Sequence, residues 1–385
     1  MYEKRVTHIL KDISQQLDQL LKTNHQPGLL GGHTGCALFY AYYYQLTGKE
    51  KYLNKVHELV LSSIDAMATT SLLPTHCNGI AGMVWCVQHL MNQGFVDGDM
   101  EDIFAEVDVL LGNQMIADLN SKQYDFLHEG LGIALYFLEK ETPSPCLTQA
   151  VKALETAATD LPGGISWEDH FARDTVPTLP DEPCYNLGLA HGMPAIIGVL
   201  SRIKAKGIDT GNLVEKGLDW MLSVSNPPGF PSLYPTVVNN AGVALTASHS
   251  RMGWCYGDLP VAMTLLQGGY TDKACDILTH SVQNRDIKNG MVHDTCICHG
   301  SAGIAHIFNR AYLQTQEPLF RQGAEKWLQH TIDFYESPAG LGFYVDGKYE
   351  MKEGLLEGIA GVGLALIAAI DKDTDPAWDR CILLS

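Results

Sequence analysis

The 385-residue sequence predicts an all-α fold, seven helical hairpins closed into a ring, on three observations. A pair of glycines three residues apart recurs along the chain, each time where an irregular stretch gives way to an apolar one. Between the recurrences lie segments with apolar residues at helical spacing. The copies repeat at roughly 45 to 60 residues, the length of two helices and their connections, which marks stacked units that must bury their faces against neighbours.

Taken in order, the chain opens with Val6, Ile9, Leu10, Ile13, Leu17, Leu20 and Leu21 at helical spacing, an outer helix with one face to water. Gly32 and Gly35 follow and lead into Cys36 to Tyr44, which is apolar nearly all round and reads as an enclosed inner helix. Five further glycine positions repeat the motif with an outer segment before each: 51–68 before Gly79 and Gly82, 100–118 before Glu129 and Gly132, 146–160 before Gly192 and Ala195, 211–225 before Gly257 and Pro260, and 272–284 before Gly300 and Gly303. The seventh copy places segment 318–335 before Gly358 and Gly361. Glu129, Ala195 and Pro260 stand where the pattern has glycine, so the third to fifth hairpins are expected to pack differently.

Fourteen helices in seven hairpins should close on themselves, with an open solenoid as the alternative. Closure offers a reason for the glycines: without a side chain, the start of each inner helix can approach its neighbours where the ring is narrowest. Connections 161–190 and 226–256 are longer than hairpin turns require and rich in Pro, Gly, Asn and Ser. Long loops in a compact domain are commonly functional, and these two lead into His191 and Cys255. No interdomain linker stands out, so residues 1–385 read as a single domain.

Composition excludes several classes. With 46% hydrophobic and 18% charged residues the chain has material for a large core and does not resemble a disordered one. A net charge of −18, with no basic run, repels a phosphate backbone, so nucleic acid is not an expected partner. The first ten residues lack the apolar core of a signal peptide, and no uncharged apolar run reaches the roughly 18 to 20 residues of a membrane span. Val362 to Ile370 is too short for one and reads as a buried helix. A cytoplasmic location is expected. There the ten cysteines read as reduced thiols, where metal binding or catalysis outranks disulfide formation. Cys36, Cys86 and Cys275 fall in helical stretches and read as small buried hydrophobes.

The cysteines in loops carry the sharper reading. Cys298 and His299 are adjacent at the junction before Gly300, where the first turn of a helix lets both side chains reach one ion. Cys255 occupies the corresponding place one repeat earlier. Two thiolates and an imidazole suit zinc, and three protein ligands leave the fourth tetrahedral position open, as in catalytic sites. Cys296 is near enough in sequence to supply a fourth ligand, which would make the site closed and structural. His191, at the fourth junction, is suited to proton transfer near neutral pH, although a solitary histidine is also a common satisfied core residue. Asp125, at the third junction, can orient a catalytic base, accept a proton itself or cap a helix. Arg251 and Tyr256 flank Cys255 and can stabilise negative charge developing on an oxygen. His33, His76 and His128 also sit at junctions, with structural or substrate-contact roles as the default.

Together, Trp254-Cys255-Tyr256-Gly257, Cys298-His299-Gly300, the string from Asn186 to Gly192 and the seven glycine-marked hairpins resemble the lanthionine synthetase C-like family, the lanthipeptide cyclases. The resemblance covers essentially the whole chain. It implies an α/α toroid holding zinc through Cys255, Cys298 and His299, with the family's catalytic histidine falling on His191, its aspartate on Asp125, and its arginine and tyrosine on Arg251 and Tyr256. The implied reaction is Michael addition of a peptide cysteine to dehydroalanine or dehydrobutyrine, giving a lanthionine or methyllanthionine thioether. The implied partners are a dehydrated precursor peptide, a separate dehydratase and a transporter. A zinc-dependent protein that binds glutathione or adds it to dehydrated residues is the alternative within the family. Outside it stand a prenyltransferase-like or carbohydrate-active toroid and a pure scaffold.

Overall fold

The structure, a computed structural model, describes residues 2–98, 101–175, 179–180, 182–246 and 249–385, with the backbone alone for 101–103 and 173–175. Among the described residues, amphipathic and enclosed helices alternate as α1 (Tyr2–Leu20), α2 (His33–Thr47), α3 (Glu50–Thr69), α4 (Ile80–Asn92), α5 (Glu101–Asn120), α6 (Gly130–Glu139) and α7 (Pro145–Ala157). After a short α8 (His170–Thr175), the alternation resumes as α9 (Met193–Ala205), α10 (Leu213–Ser223), α11 (Asp258–Gln267), α12 (Thr271–Asn284), α13 (Ser301–Thr315), α14 (Pro318–Glu336) and α15 (Ile359–Ile370). Among the described residues, three small antiparallel ladders lie in the connections: β1 (Thr159–Leu161) with β2 (Gly164–Ser166), β3 (Cys184–Asn186) with β4 (Val237–Asn239), and β5 (Phe343–Val345) with β6 (Lys348–Glu350).

Burial follows the sequence pattern. In α1 the buried positions are Val6, Ile9, Leu10, Ile13, Ser14 and Leu17, one stripe at helical spacing, whereas α2 is buried without a break from His33 to Tyr43. Each fully buried aliphatic side chain contributes about 1.5–3 kcal/mol, so an inner helix is held from every side and an outer one along a single seam. Cys36 and Cys86 are fully buried, as expected, but Cys275 is only half-buried. It sits on α12, whose buried stripe is Ala274, Ile277, Leu278 and Ser281. No helix of the described residues is long and apolar enough to cross a membrane.

The chain divides into two compact units, Met1–Asp99 with Val292–Ile382, and Met100–Met291 with Leu383–Ser385. In the first, the last inner helix α15 packs against both α2 and α13, and also against α1, a contact between first and last hairpins that an open solenoid would lack. In the second, α6, α9 and α11 pack in succession, and α5, α7, α10 and α12 cover them.

The start of each inner helix explains the glycine motif, and the reason differs from the expected one. None of the seven has a side-chain cap, yet the first turn of a helix leaves amide donors that need partners. The preceding loop supplies them by folding back. His33, Ile80, Ser301 and Ile359 donate to the carbonyls of Gln26, Leu73, Asp294 and Lys352, each seven residues earlier. This brings loop backbone hard against the helix. A Cβ at Gly35, Gly82, Gly303 or Gly361 would fall on the carbonyl oxygen of Leu29, His76, Ile297 or Leu355, each six residues earlier. The glycines serve the loop's own backbone first, and approach between neighbouring helices is secondary.

In the first unit the equivalent residues, each two before its glycine, are also linked to one another. Cys298 N–H donates to Leu356 O, Leu356 N–H to Leu30 O, and Leu30 N–H to Cys77 O. Four consecutive junctions are thereby strung on three backbone hydrogen bonds, and the backbone of Cys298 is fixed by the first of them. The third and fifth junctions do differ from these. Glu129 turns its carboxylate back to accept the Asp125 N–H at 2.8 Å, and Gly257 adopts φ +97°, where a Cβ would stand 2.3 Å from the Arg251 carbonyl oxygen.

Candidate functional site

Within the second unit, the two long connections are joined. β3 and β4 pair Cys184 with Asn239, Tyr185 with Val238 and Asn186 with Val237, so the loops leading to His191 and Cys255 are held together by a ladder. They meet closely at Gly188, where a Cβ would stand 2.5 Å from the Cys255 carbonyl oxygen and 2.5 Å from ring atoms of Tyr256. Only glycine lets the loops approach this far.

His191 donates from Nδ1 to Asp125 Oδ2 at 2.6 Å, a short charge-assisted distance, which leaves Nε2 as the nitrogen available for proton exchange. The Asp125 side chain is fully buried and that of His191 is 22% exposed. Asp125 Oδ1 accepts the N–H groups of Leu127 and His128 at 3.0 and 2.8 Å. Asp125 caps no helix: one oxygen holds the turn ahead of α6, and the other bonds the imidazole. Burial by itself lowers the affinity of His191 for a proton, but the hydrogen bond and charge of Asp125, with the charge of Asp169, outweigh it, and the imidazole titrates above its ordinary value. Two other rings lie close to it and to each other. Phe171 and His128 lie nearly parallel to it, at centroid distances of 5.3 and 5.9 Å.

Cys255 is buried, at 5% exposure, two residues before Gly257. Tyr256 is half-buried against Gly188, and the Arg251 side chain is exposed. Asp258, just beyond, is buried against Arg285 at 3.2 Å and accepts the Tyr234 N–H, which pins the loop 226–256 to the start of α11.

In the first unit, the Cys298 sulfur and a ring nitrogen of His299 lie within 4.8 Å of each other, close enough to share one ion. Soft sulfur and imidazole nitrogen donors at a buried junction fit zinc. The same unit also brings Asp294, Cys296 and His299 within that separation. There, however, Asp294 accepts the N–H groups of Cys296 and Tyr344 at 2.9 and 3.0 Å, and the Cys296 sulfur accepts the His299 N–H at 3.4 Å. These groups hold the turn that presents Cys298 and His299. His33 and His76 are buried and donate to the carbonyls of Asn24 and Cys381.

The family model for lanthionine synthetase C-like protein matches residues 24–383. The chain belongs to the lanthionine synthetase C-like family. Among solved structures, a nisin cyclase is similar over 98% of this chain and 97% of that one, at 19% identity and a TM-score of 0.76. The likeness shows the fold, and the all-α, α/α-toroid class expected from the repeats is the class observed. A sugar epimerase from a ruminal bacterium (10% identity, TM-score 0.45, covering 97% of this chain and 100% of that one) and the GH76A alpha-1,6-mannanase from Salegentibacter sp. HEL1_6 (13%, 0.42, covering 96% and 99%) are too distant to carry an argument. No curated protein matches the chain.

Several residues at the site of this lanthionine synthetase C-like protein carry no signal that sequence reasoning used. Phe171 supplies a face for His191 from a helix twenty residues upstream. Asp169 is 4% exposed, and burial pushes its carboxyl up to about 6 against the pull of the Ala172 N–H and Asn186. Glu129, noted only as a departure from glycine, is a half-buried acid beside Asp125, and burial pushes it up to about 7. Asn186 was visible at the head of the string that ends in His191, with no role attached to it.

Proposed function

We propose that the protein is a lanthipeptide cyclase that uses zinc held by Cys255, Cys298 and His299 to join peptide cysteines to dehydroalanine or dehydrobutyrine. The observation that carries this reading is the buried Asp125–His191 pair, set on a loop pressed against the one bearing Cys255, in a chain of the lanthionine synthetase C-like family. The substrate is a precursor peptide already dehydrated by a separate enzyme.

When bound, zinc supplies the Lewis acidity that stabilises a thiolate over a thiol near neutral pH. The remaining steps belong to the chain. The peptide sulfur forms a bond to the β-carbon of the dehydro residue, and the π pair of the alkene moves onto the α-carbon and its carbonyl as an enolate. His191, protonated above the ordinary range for an imidazole because Asp125 faces it, delivers a proton from Nε2 to the α-carbon. The thiol proton leaves to solvent, and solvent returns one to His191 after it protonates the α-carbon, so the product is an isomer of the substrate. Asp125 keeps Nδ1 protonated and the ring oriented. Arg251 and Tyr256, beside Cys255 in sequence, bear the enolate charge.

The test is metal analysis followed by cyclisation of a dehydrated, cysteine-containing peptide. About one zinc per chain is expected. Cys298→Ala should lose the metal, and His191→Ala should keep it and lose turnover. A His191→Ala protein that cyclises at the normal rate, or a metal-free protein with full activity, overturns the proposal.

A further inference from the structure

We infer that Asp169 is a positioning residue for His191, fixing two supports of the imidazole through its two carboxylate oxygens; the inference rests on the proposed catalytic role of His191. Oδ1 accepts the Ala172 N–H at 2.7 Å, which caps the first turn of α8. That turn carries Phe171, whose ring lies 12° from parallel with His191 at a centroid distance of 5.3 Å. Oδ2 accepts from Asn186 Nδ2 at 2.8 Å. Asn186 in turn accepts the Gly188 N–H on Oδ1 at 2.7 Å, and Gly188 O accepts the Gly192 N–H at 2.9 Å, closing the turn that holds His191. One carboxylate thus governs the face against which the ring stacks and the backbone from which it projects.

Asp169 N–H also donates to Cys184 O at 2.8 Å, which ties the assembly to β3 and through it to the Cys255 loop. Asp169 and Asn186 are 4% and 1% exposed. Among the described residues the two oxygens of Asp169 meet N–H groups and no cation, so the buried carboxylate is costly, and an amide of the same shape would satisfy packing alone. What an amide cannot do is accept from both Ala172 and Asn186. The 2.6 Å bond from His191 to Asp125 tolerates little drift, and two of the paths that restrain it run through this side chain.

Exchange of donor and acceptor tests the inference. Asp169→Asn sets two amide NH2 groups against each other, and Asn186→Asp sets two carboxylates together; the double variant restores one donor facing one acceptor, with the Ala172 and Gly188 N–H groups still satisfied. Each single variant should lose protection of the His191 Nδ1 proton in NMR spectra and lower kcat about tenfold, the worth of one buried hydrogen bond, with KM little changed. The double variant should recover both readouts. Phe171→Leu, which leaves the carboxylate network intact, should speed exchange of the same proton. Single variants that match the wild type, or a double variant no better than the worse single, would overturn the assignment. If the wild-type protein cyclises no peptide, the proposed function fails, while the ring proton still reports on positioning.

Discussion

Asp125→Asn isolates the role of the carboxylate with little change of shape. The amide oxygen can take over from Oδ1 and keep accepting from Leu127 and His128, so the turn ahead of α6 should hold. The amide nitrogen then faces His191 Nδ1, which must become an acceptor, and the imidazole is driven into its other tautomer. A hydrogen bond to a charged group contributes about 1.5–3 kcal/mol. The Asp125 side chain is fully buried and that of His191 only 22% exposed, so little of this is screened. If the interaction is expressed in the transition state, kcat falls about 10- to 150-fold, and proton affinity at His191 drops from its raised level, moving the acid requirement to lower pH. Because ring closure leaves mass unchanged, the assay counts free thiols by alkylation and mass spectrometry over time. An Asp125→Asn protein with full zinc, a normal melting curve and wild-type kcat at every pH would refute the reasoning.

Two further outcomes are expected. Gly188→Ala forces a Cβ to within 2.5 Å of the Cys255 carbonyl and the Tyr256 ring, an overpacking that costs about 1–3 kcal/mol and should lower both the urea midpoint and zinc retention; an unchanged midpoint would show that the two loops do not meet there. Glu129 ionises near 7 in the folded protein and near 4.5 when free, so the folded state binds the extra proton between those values and stability falls as pH rises through that window. Glu129→Gln should therefore melt higher than wild type at pH 8 and converge on it below pH 4.5, and equal curves at both pH values would contradict the burial argument.

The alternation of helices was legible because period and burial are local properties: the stripe of α1 and the unbroken burial of α2 follow directly from where apolar residues fall. The glycine motif was legible as a marker and only partly as a cause: neighbouring side chains do crowd Gly82 and Gly361, but the loop backbone lies closer still. Sequence spacing does not say that the loop before each helix doubles back by six and seven residues, and only coordinates reveal the carbonyls of Leu29 or His76 at the helix start. His191 and Asp125 were legible as types suited to proton transfer, but their 2.6 Å pairing joins positions 66 residues apart. Asp169 and Phe171 escaped because their meaning is wholly non-local. An aspartate in a polar loop and a phenylalanine on a six-residue helix have many ordinary uses, and nothing in their neighbours points to position 191.

The thread of amides through Cys77, Leu30, Leu356 and Cys298 sets a schedule for biosynthesis. Leu30 and Leu356 are separated by more than three hundred residues, which a ribosome adds in about 15 to 65 seconds at 5–20 residues per second. For that interval the apolar flank of α2 that belongs against α15 has no native mate. The backbone at position 298 cannot gain its bond to Leu356 until that later residue has been added. A chain of this topology is exposed to premature association while it is being made, and slower translation or scarce chaperones should reduce its soluble yield well before they alter the finished protein.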